Sequence, residues 1–121
     1  MFFMRENVVK TKSYWFAVRI VRLYQRLVGE REYVLSKQLL RCGTSVCAMV
    51  YEAEQAESKA DFKHKLAIAQ KEINETMFWL ELMKETGYLS DIEFKTNHDE
   101  GKEIIRLLTR IIKTTQANIN H

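Results

Sequence analysis

The chain has 121 residues and a mass of 14.4 kDa, with 46% hydrophobic and 29% charged side chains, so one soluble domain spanning residues 1–121 is expected. Proline is absent, glycine occurs four times and cysteine twice, which argues against loop-rich β-sandwiches and disulfide-stapled secreted domains and favours a few long helices. The net charge of +3 and the pI near 8.9 lean basic without naming a polyanionic partner.

The chain opens Met1-Phe2-Phe3-Met4-Arg5. No charged segment precedes an extended apolar core, so no signal peptide is expected, and no apolar run approaches the ~18–20 residues of a membrane span. Met1 and Met4 are both open as starts, and a cytoplasmic location without membrane contact is the expectation. A first helix is predicted near 8–28. At about 100° per residue its apolar side chains cover roughly 220° of the wheel, where a bundle helix needs little more than about 100°. The surplus comprises Tyr14, Phe16, Val18, Val21, Tyr24 and Val28. Such an excess calls for cover from outside the bundle, so Tyr14, Phe16, Val21, Tyr24 and Val28 are expected in a homo-oligomer interface. Lys12, Trp15, Arg19, Arg22 and Arg26 fall in a separate arc of roughly 80°.

Gly29-Glu30-Arg31-Glu32 is the first turn, and a second helix is expected near 33–57. Leu35, Leu39, Cys42, Val46, Met49 and Ala53 recur there at helical spacing. Gln38, Arg41, Ser45 and Glu52 share another face, a polar seam expected to hydrogen-bond between helices or subunits and to set register. Cys42 and Cys47 stand roughly 140° apart about the axis, poorly placed for a mutual disulfide. Ser58 with Asp61 three residues later caps a third helix near 59–86. Its apolar stripe is Phe62, Leu66, Ala69, Ile73, Leu80 and Met83, while Ile68, Phe78, Trp79 and Leu82 lie off that stripe. Gly87 suits the left-handed position that ends this helix, and Ser90 with Glu93 forms a capping box opening a last helix near 91–117. There Ile104, Leu107, Leu108, Ile111 and Ile112 oppose Lys102, Arg106, Arg110 and Lys113, four cations within roughly 80°. Gly101 inside it costs about 1 kcal/mol against alanine. Four helices on short connections pack as an all-α, antiparallel up-down-up-down bundle.

The stretch Leu35-Ser36-Lys37-Gln38-Leu39-Leu40-Arg41-Cys42-Gly43-Thr44-Ser45-Val46 is accompanied by Tyr51-Glu52-Ala53, Ser58-Lys59-Ala60-Asp61-Phe62, Ile68-Ala69, Lys71-Glu72 and Trp79-Leu80. Together they resemble the family of 23S ribosomal RNA intervening-sequence proteins, from about Phe16 to the Lys113 region. The resemblance implies a four-helix bundle assembling as a ring, commonly a pentamer. Relatives include the accessory protein of diversity-generating retroelements, whose basic surface binds nucleic acid. The family name records gene location rather than an activity. This chain departs from the pattern at Cys42, usually serine, at Cys47, often glycine, and at Met49, often asparagine, which weakens any function resting on the polar seam.

Catalytic chemistry is thin. The di-iron bundle signature Glu-x-x-His does not occur, the nearest approach being Asp61-x-x-His64 with Asp61 serving the helix cap. No CxxC pair or His/Cys cluster suggests zinc. Glu52, Glu54, Glu57, Glu72 and Glu75 have the spacing of solvated helix faces, and no glycine-rich loop could cradle a phosphate. No enzyme, metal, cofactor or small-molecule substrate is expected. Charge is more informative: residues 1–28 carry six basic groups against one acid, and the 29–57 stretch three against five. Helices 1 and 4 are neighbours in this topology, so their cationic arcs are expected to merge, with Arg26 near Lys102 and Lys12 near Lys113. A belt of this kind with Trp15 in it suits phosphate contact and base stacking. The expected function is a non-enzymatic ring presenting a basic surface to RNA or DNA. The alternative is an oligomeric scaffold for another protein, its arginines paired with a neighbouring subunit's acids.

Overall fold

The computed structural model describes residues 8–120, and four helices take up most of them: α1 (Val8–Gly29), α2 (Leu35–Ala53), α3 (Lys59–Glu85) and α4 (Asp91–Ile119). The two candidate starts, Met1 and Met4, lie outside the described residues. Each helix packs antiparallel on the two beside it around a square, with α1 diagonal to α3 and α2 to α4. Ion pairs and hydrogen bonds give the register. Arg26 is level with Glu93 and Arg19 with Glu100, seven residues back along α1 matching seven forward along α4. Glu81 is level with His98, and Gln70 with Thr109, across α3 and α4.

Local chemistry explains the helix ends. Ser58 Oγ accepts the Asp61 amide at 3.0 Å, and Ser90 and Glu93 form the reciprocal capping box. Gly87 sits at φ +87°, the left-handed position that glycine fills without strain. Helix α2 is shorter than the 33–57 reading at both ends. Before its start the turn's left-handed residue is Arg31 (φ 68°), while Gly29 still belongs to α1. The chain there folds back so that the Glu32 carboxylate accepts the amides of Leu35 (2.9 Å) and Ser36 (2.7 Å). Burial works against that charge, but these hydrogen bonds hold the Glu32 carboxyl below its usual range. At the far end the Gln55 and Ala56 amides turn back tightly on the Glu52 and Ala53 carbonyls, releasing residues 54–58 as the connection.

The core follows the helical stripes. Phe62, Leu66, Ala69, Ile73, Leu80 and Met83 of α3 are all buried, as are Leu39, Cys42, Val46 and Ala53 of α2 and Ile104 and Leu108 of α4. Phe16 corrects the reading of α1. It is 0% exposed in the core cluster, so it cannot serve an interface on the outside of the bundle. Tyr24, Val28, Val18 and Val21 are half-buried, and Tyr14 is exposed. Gly101, which looked like a local weakness, is a point of close approach. A Cβ there would stand 2.5 Å from Met77 Sδ and 3.7 Å from a Phe16 ring carbon. Gly43 does the same for α2, where a Cβ would lie 2.8 Å from Ile20 Cγ2.

Candidate nucleic-acid interface

The cations of α1 and α4 have different fates. On α1, Lys12 reaches Glu103 at 3.0 Å, Arg19 reaches Glu100 at 3.9 Å, and Arg26 grips both oxygens of Glu93 at 2.8 Å. Arg26 also donates to Glu30 and to the Tyr88 carbonyl, tying the ends of α1 and α3 to the start of α4. The seam between α1 and α4 is thus a ladder of opposite charges. Arg26 lies level with Glu93 rather than Lys102, and Lys12 beside Glu103 rather than Lys113, so the two cationic arcs do not merge across it as the topology suggested. Glu100 and Glu103 were passed over in the sequence reading, which took Glu93 only as a capping residue. Their signal was present: Glu93 and Glu100 repeat at seven residues, as Arg19 and Arg26 do.

On α4, Lys102, Arg106, Arg110 and Lys113 are exposed on the face turned away from the core, and among the described residues none of them has a carboxylate within ion-pairing distance. Over this run the arc extends about 17 Å along the helix. Lys95, about two turns before it, is neutralised by Asp99 at 2.9 Å. Arg22 of α1 is likewise exposed and unpaired among the described residues. Trp15 is 50% exposed and meets Tyr14 edge-on, ring centroids 5.4 Å apart.

The polar seam of α2 is spent within the subunit. Arg41 bonds Glu75 and Gln38 and stands 3.5 Å from Glu72, while Glu52 takes Lys65 at 3.3 Å. A hydrogen bond from the Trp79 indole, with Arg41 beside it, holds the Glu75 carboxyl below its usual range. Ser45 Oγ donates to the Arg41 carbonyl of its own helix. These contacts lock α2 to α3 in register and leave no nucleophile beside a base. Both cysteines are free thiols, and burial pushes each of them up. Among the described residues no cluster of His, Cys, Asp and Glu is placed to hold a metal ion, and no helix is long and apolar enough to cross a membrane.

Two comparisons with known proteins match this architecture. A crystal structure from Bacteroides thetaiotaomicron VPI-5482, described as a protein with unknown function from the S23 ribosomal protein family, is similar at a TM-score of 0.88 and 53% identity, covering 91% of this chain and 99% of its own. No curated protein matches the chain. The family model for the 23S rRNA-intervening sequence protein matches residues 5–110. On that match the chain belongs to the 23S rRNA-intervening sequence protein family.

Proposed function

We propose that this protein is a non-enzymatic, self-associating bundle of the cytoplasm that binds RNA or DNA through phosphate contacts along the outer face of α4. The observation that carries this reading is the group Lys102, Arg106, Arg110 and Lys113, exposed on one arc and without a carboxylate partner among the described residues. A cation already held by an acid has little to gain from a phosphate, whereas a free one releases counterions from the nucleic acid. The resemblance read from the sequence, which takes in the retroelement accessory protein with its nucleic-acid-binding basic surface, supports the same role. Repetition of the arc around an oligomer, a pentamer on the family resemblance, would add weak contacts through multivalency. Trp15 offers a stacking surface for an unpaired base on the neighbouring helix.

Titration of labelled RNA and duplex DNA at about 50 mM salt tests this, because phosphate contacts are strongest there and fall steeply with added salt. Arg106→Gln with Arg110→Gln should flatten the salt slope by about two charges' worth on every sequence alike. Absence of binding at low salt would overturn the nucleic-acid role. One observation favours the scaffold reading in that event. Tyr33, Val34, Tyr88 and Ile92 are all exposed where the α1–α2 and α3–α4 connections share one end of the bundle, Ile92 by 80%, and an apolar cluster of that kind suits a protein partner.

A further inference from the structure

The aromatic rings around the bundle differ in what already covers them. Lys10 lies over the Tyr51 ring and Lys84 over the Phe94 ring, and the Trp79 indole donates its N–H to Glu75. Trp15 is half exposed, and no cation lies over it among the described residues. Tyr14 meets it at 87°, and an edge-on contact of that kind takes up at most one face of an indole. The α1–α4 ladder fixes where the free face stands. Trp15 is three residues after Lys12 and four before Arg19, so it shares their side of α1, and both of those cations reach across to α4. Arg19 is level with Glu100; four residues back on α1 and four forward on α4 set Trp15 level with position 104, between Lys102 and Arg106.

The charges about this point are sorted. Lys102, Arg106, Arg110 and Lys113 run in single file along α4 at rises of about 6, 6 and 4.5 Å. Between that file and Trp15 lie Glu100 and Glu103, partly exposed even while they hold Arg19 and Lys12. Their carboxylates repel a phosphate backbone from the seam and leave a neutral base free to cross it. The crossing is one helix spacing of about 8–10 Å, a gap that an unstacked nucleotide spans from phosphate to base.

We infer that the nucleic acid taken by this face is an unpaired strand, its phosphates on the file of α4 and one base turned across the seam onto Trp15. The inference deepens the nucleic-acid reading and rests on it. The file alone serves duplex and strand alike, and Trp15 is what separates them. A base inside a duplex is already stacked and paired, and presenting its face to an outside ring costs that pairing. A base in a loop, bulge or free end is already available.

The test compares unlabelled oligo-U and oligo-dT of about 16 nucleotides with RNA and DNA duplexes of the same length at about 50 mM salt. The unpaired strands should bind about tenfold more tightly than the duplexes. Trp15→Ala should erase that margin while leaving duplex affinity within about twofold, and Trp15→Phe, which keeps a ring, should restore most of it. Tryptophan emission is a second readout: the strands should quench the wild-type chain but not the Trp15→Ala chain, whose remaining indole is Trp79. Binding of only one of the two strands, with the same dependence on Trp15, would support the inference and name the sugar. Equal affinity for strands and duplexes would overturn the inference and leave the nucleic-acid reading in place. So would a strand preference that survives Trp15→Ala, or a loss in that variant shared equally by the duplexes. No binding of any of the four would overturn both readings.

Discussion

Helices α1 and α4 carry five cations each among the described residues, yet they use them in opposite ways. Helix α1 turns Lys12, Arg19 and Arg26 along the seam to acids on α4 and leaves an apolar strip on its outer face. Helix α4 keeps its acids Glu93, Glu100 and Glu103 on the seam and sends Lys102, Arg106, Arg110 and Lys113 outward. The number of cations on a helix therefore says little about its partner. What matters is the charge carried by the neighbouring helix at the same height.

The two helices are also seated differently, and here the largest change in stability is expected. Helix α1 approaches α2 at Gly43, where an added Cβ would meet the branched, fully buried Ile20 at 2.8 and 2.9 Å. A β-branched side chain has little freedom to move aside. Helix α4 approaches α3 through its own Gly101, where the atom met is the thioether sulfur of Met77, the flexible end of an adaptable chain. Either substitution by alanine gains about 1 kcal/mol of helix propensity, against an overpacking cost of about 1–3 kcal/mol where the neighbour cannot yield. Gly43→Ala should lower stability by about 1–2 kcal/mol in urea unfolding, and Gly101→Ala should stay within about 0.5 kcal/mol of wild type. Equal losses at the two sites would mean that the seating of α1 and α4 does not differ in this way.

A smaller effect separates the cations themselves. Arg26 spans both oxygens of Glu93 with about a third of its side chain exposed, so Arg26→Gln should cost about 1 kcal/mol of stability. Its nucleic-acid affinity should change by no more than about twofold, since an occupied guanidinium contributes little to phosphate release. Arg106→Gln should show the reverse, lost affinity with stability within about 0.5 kcal/mol of wild type. Parallel unfolding and binding titrations on the two variants decide it. If both variants lose affinity equally, the division between seam and outer face has no functional meaning.

Much of this was legible in residue spacing. The capping residues Ser58, Ser90 and Glu93, the left-handed Gly87 and the buried stripe of α3 all follow from local patterns that tertiary packing only reinforces. The failures share a cause. Phe16 was placed in an interface because the apolar arc of α1 was too wide, but a wheel cannot say where the core ends and the outer face begins. The merging of the two cationic arcs failed because it needed the axial register of α1 against α4, which no single helix contains. The form of the first turn, with Arg31 left-handed and Glu32 reaching forward as the cap, lay beyond the usual Ser, Thr, Asp and Asn capping signal.

The smallest expected effect lies where α1 hands over to α2. Helix α4 starts on a serine hydroxyl as well as a carboxylate, whereas α2 starts on the Glu32 carboxylate, which accepts the Leu35 and Ser36 amides and, more weakly, that of Val34. A carboxyl whose folded-state pKa is lowered binds its proton less tightly in the fold than in the unfolded chain. Its stabilisation is therefore complete above the ordinary carboxylate range and is lost as pH falls through the lowered folded-state value. Glu32→Gln keeps one acceptor oxygen but no charge, so the variant should trail wild type by about 0.5–1 kcal/mol at neutral pH, the usual worth of a helix cap. Below the ordinary carboxylate range, Glu32 gains its proton and the gap should narrow. Urea midpoints for both chains, measured stepwise from pH 7 down to pH 3, supply the comparison. A gap that holds constant over that range would mean that the charge on Glu32 adds nothing to its amide contacts.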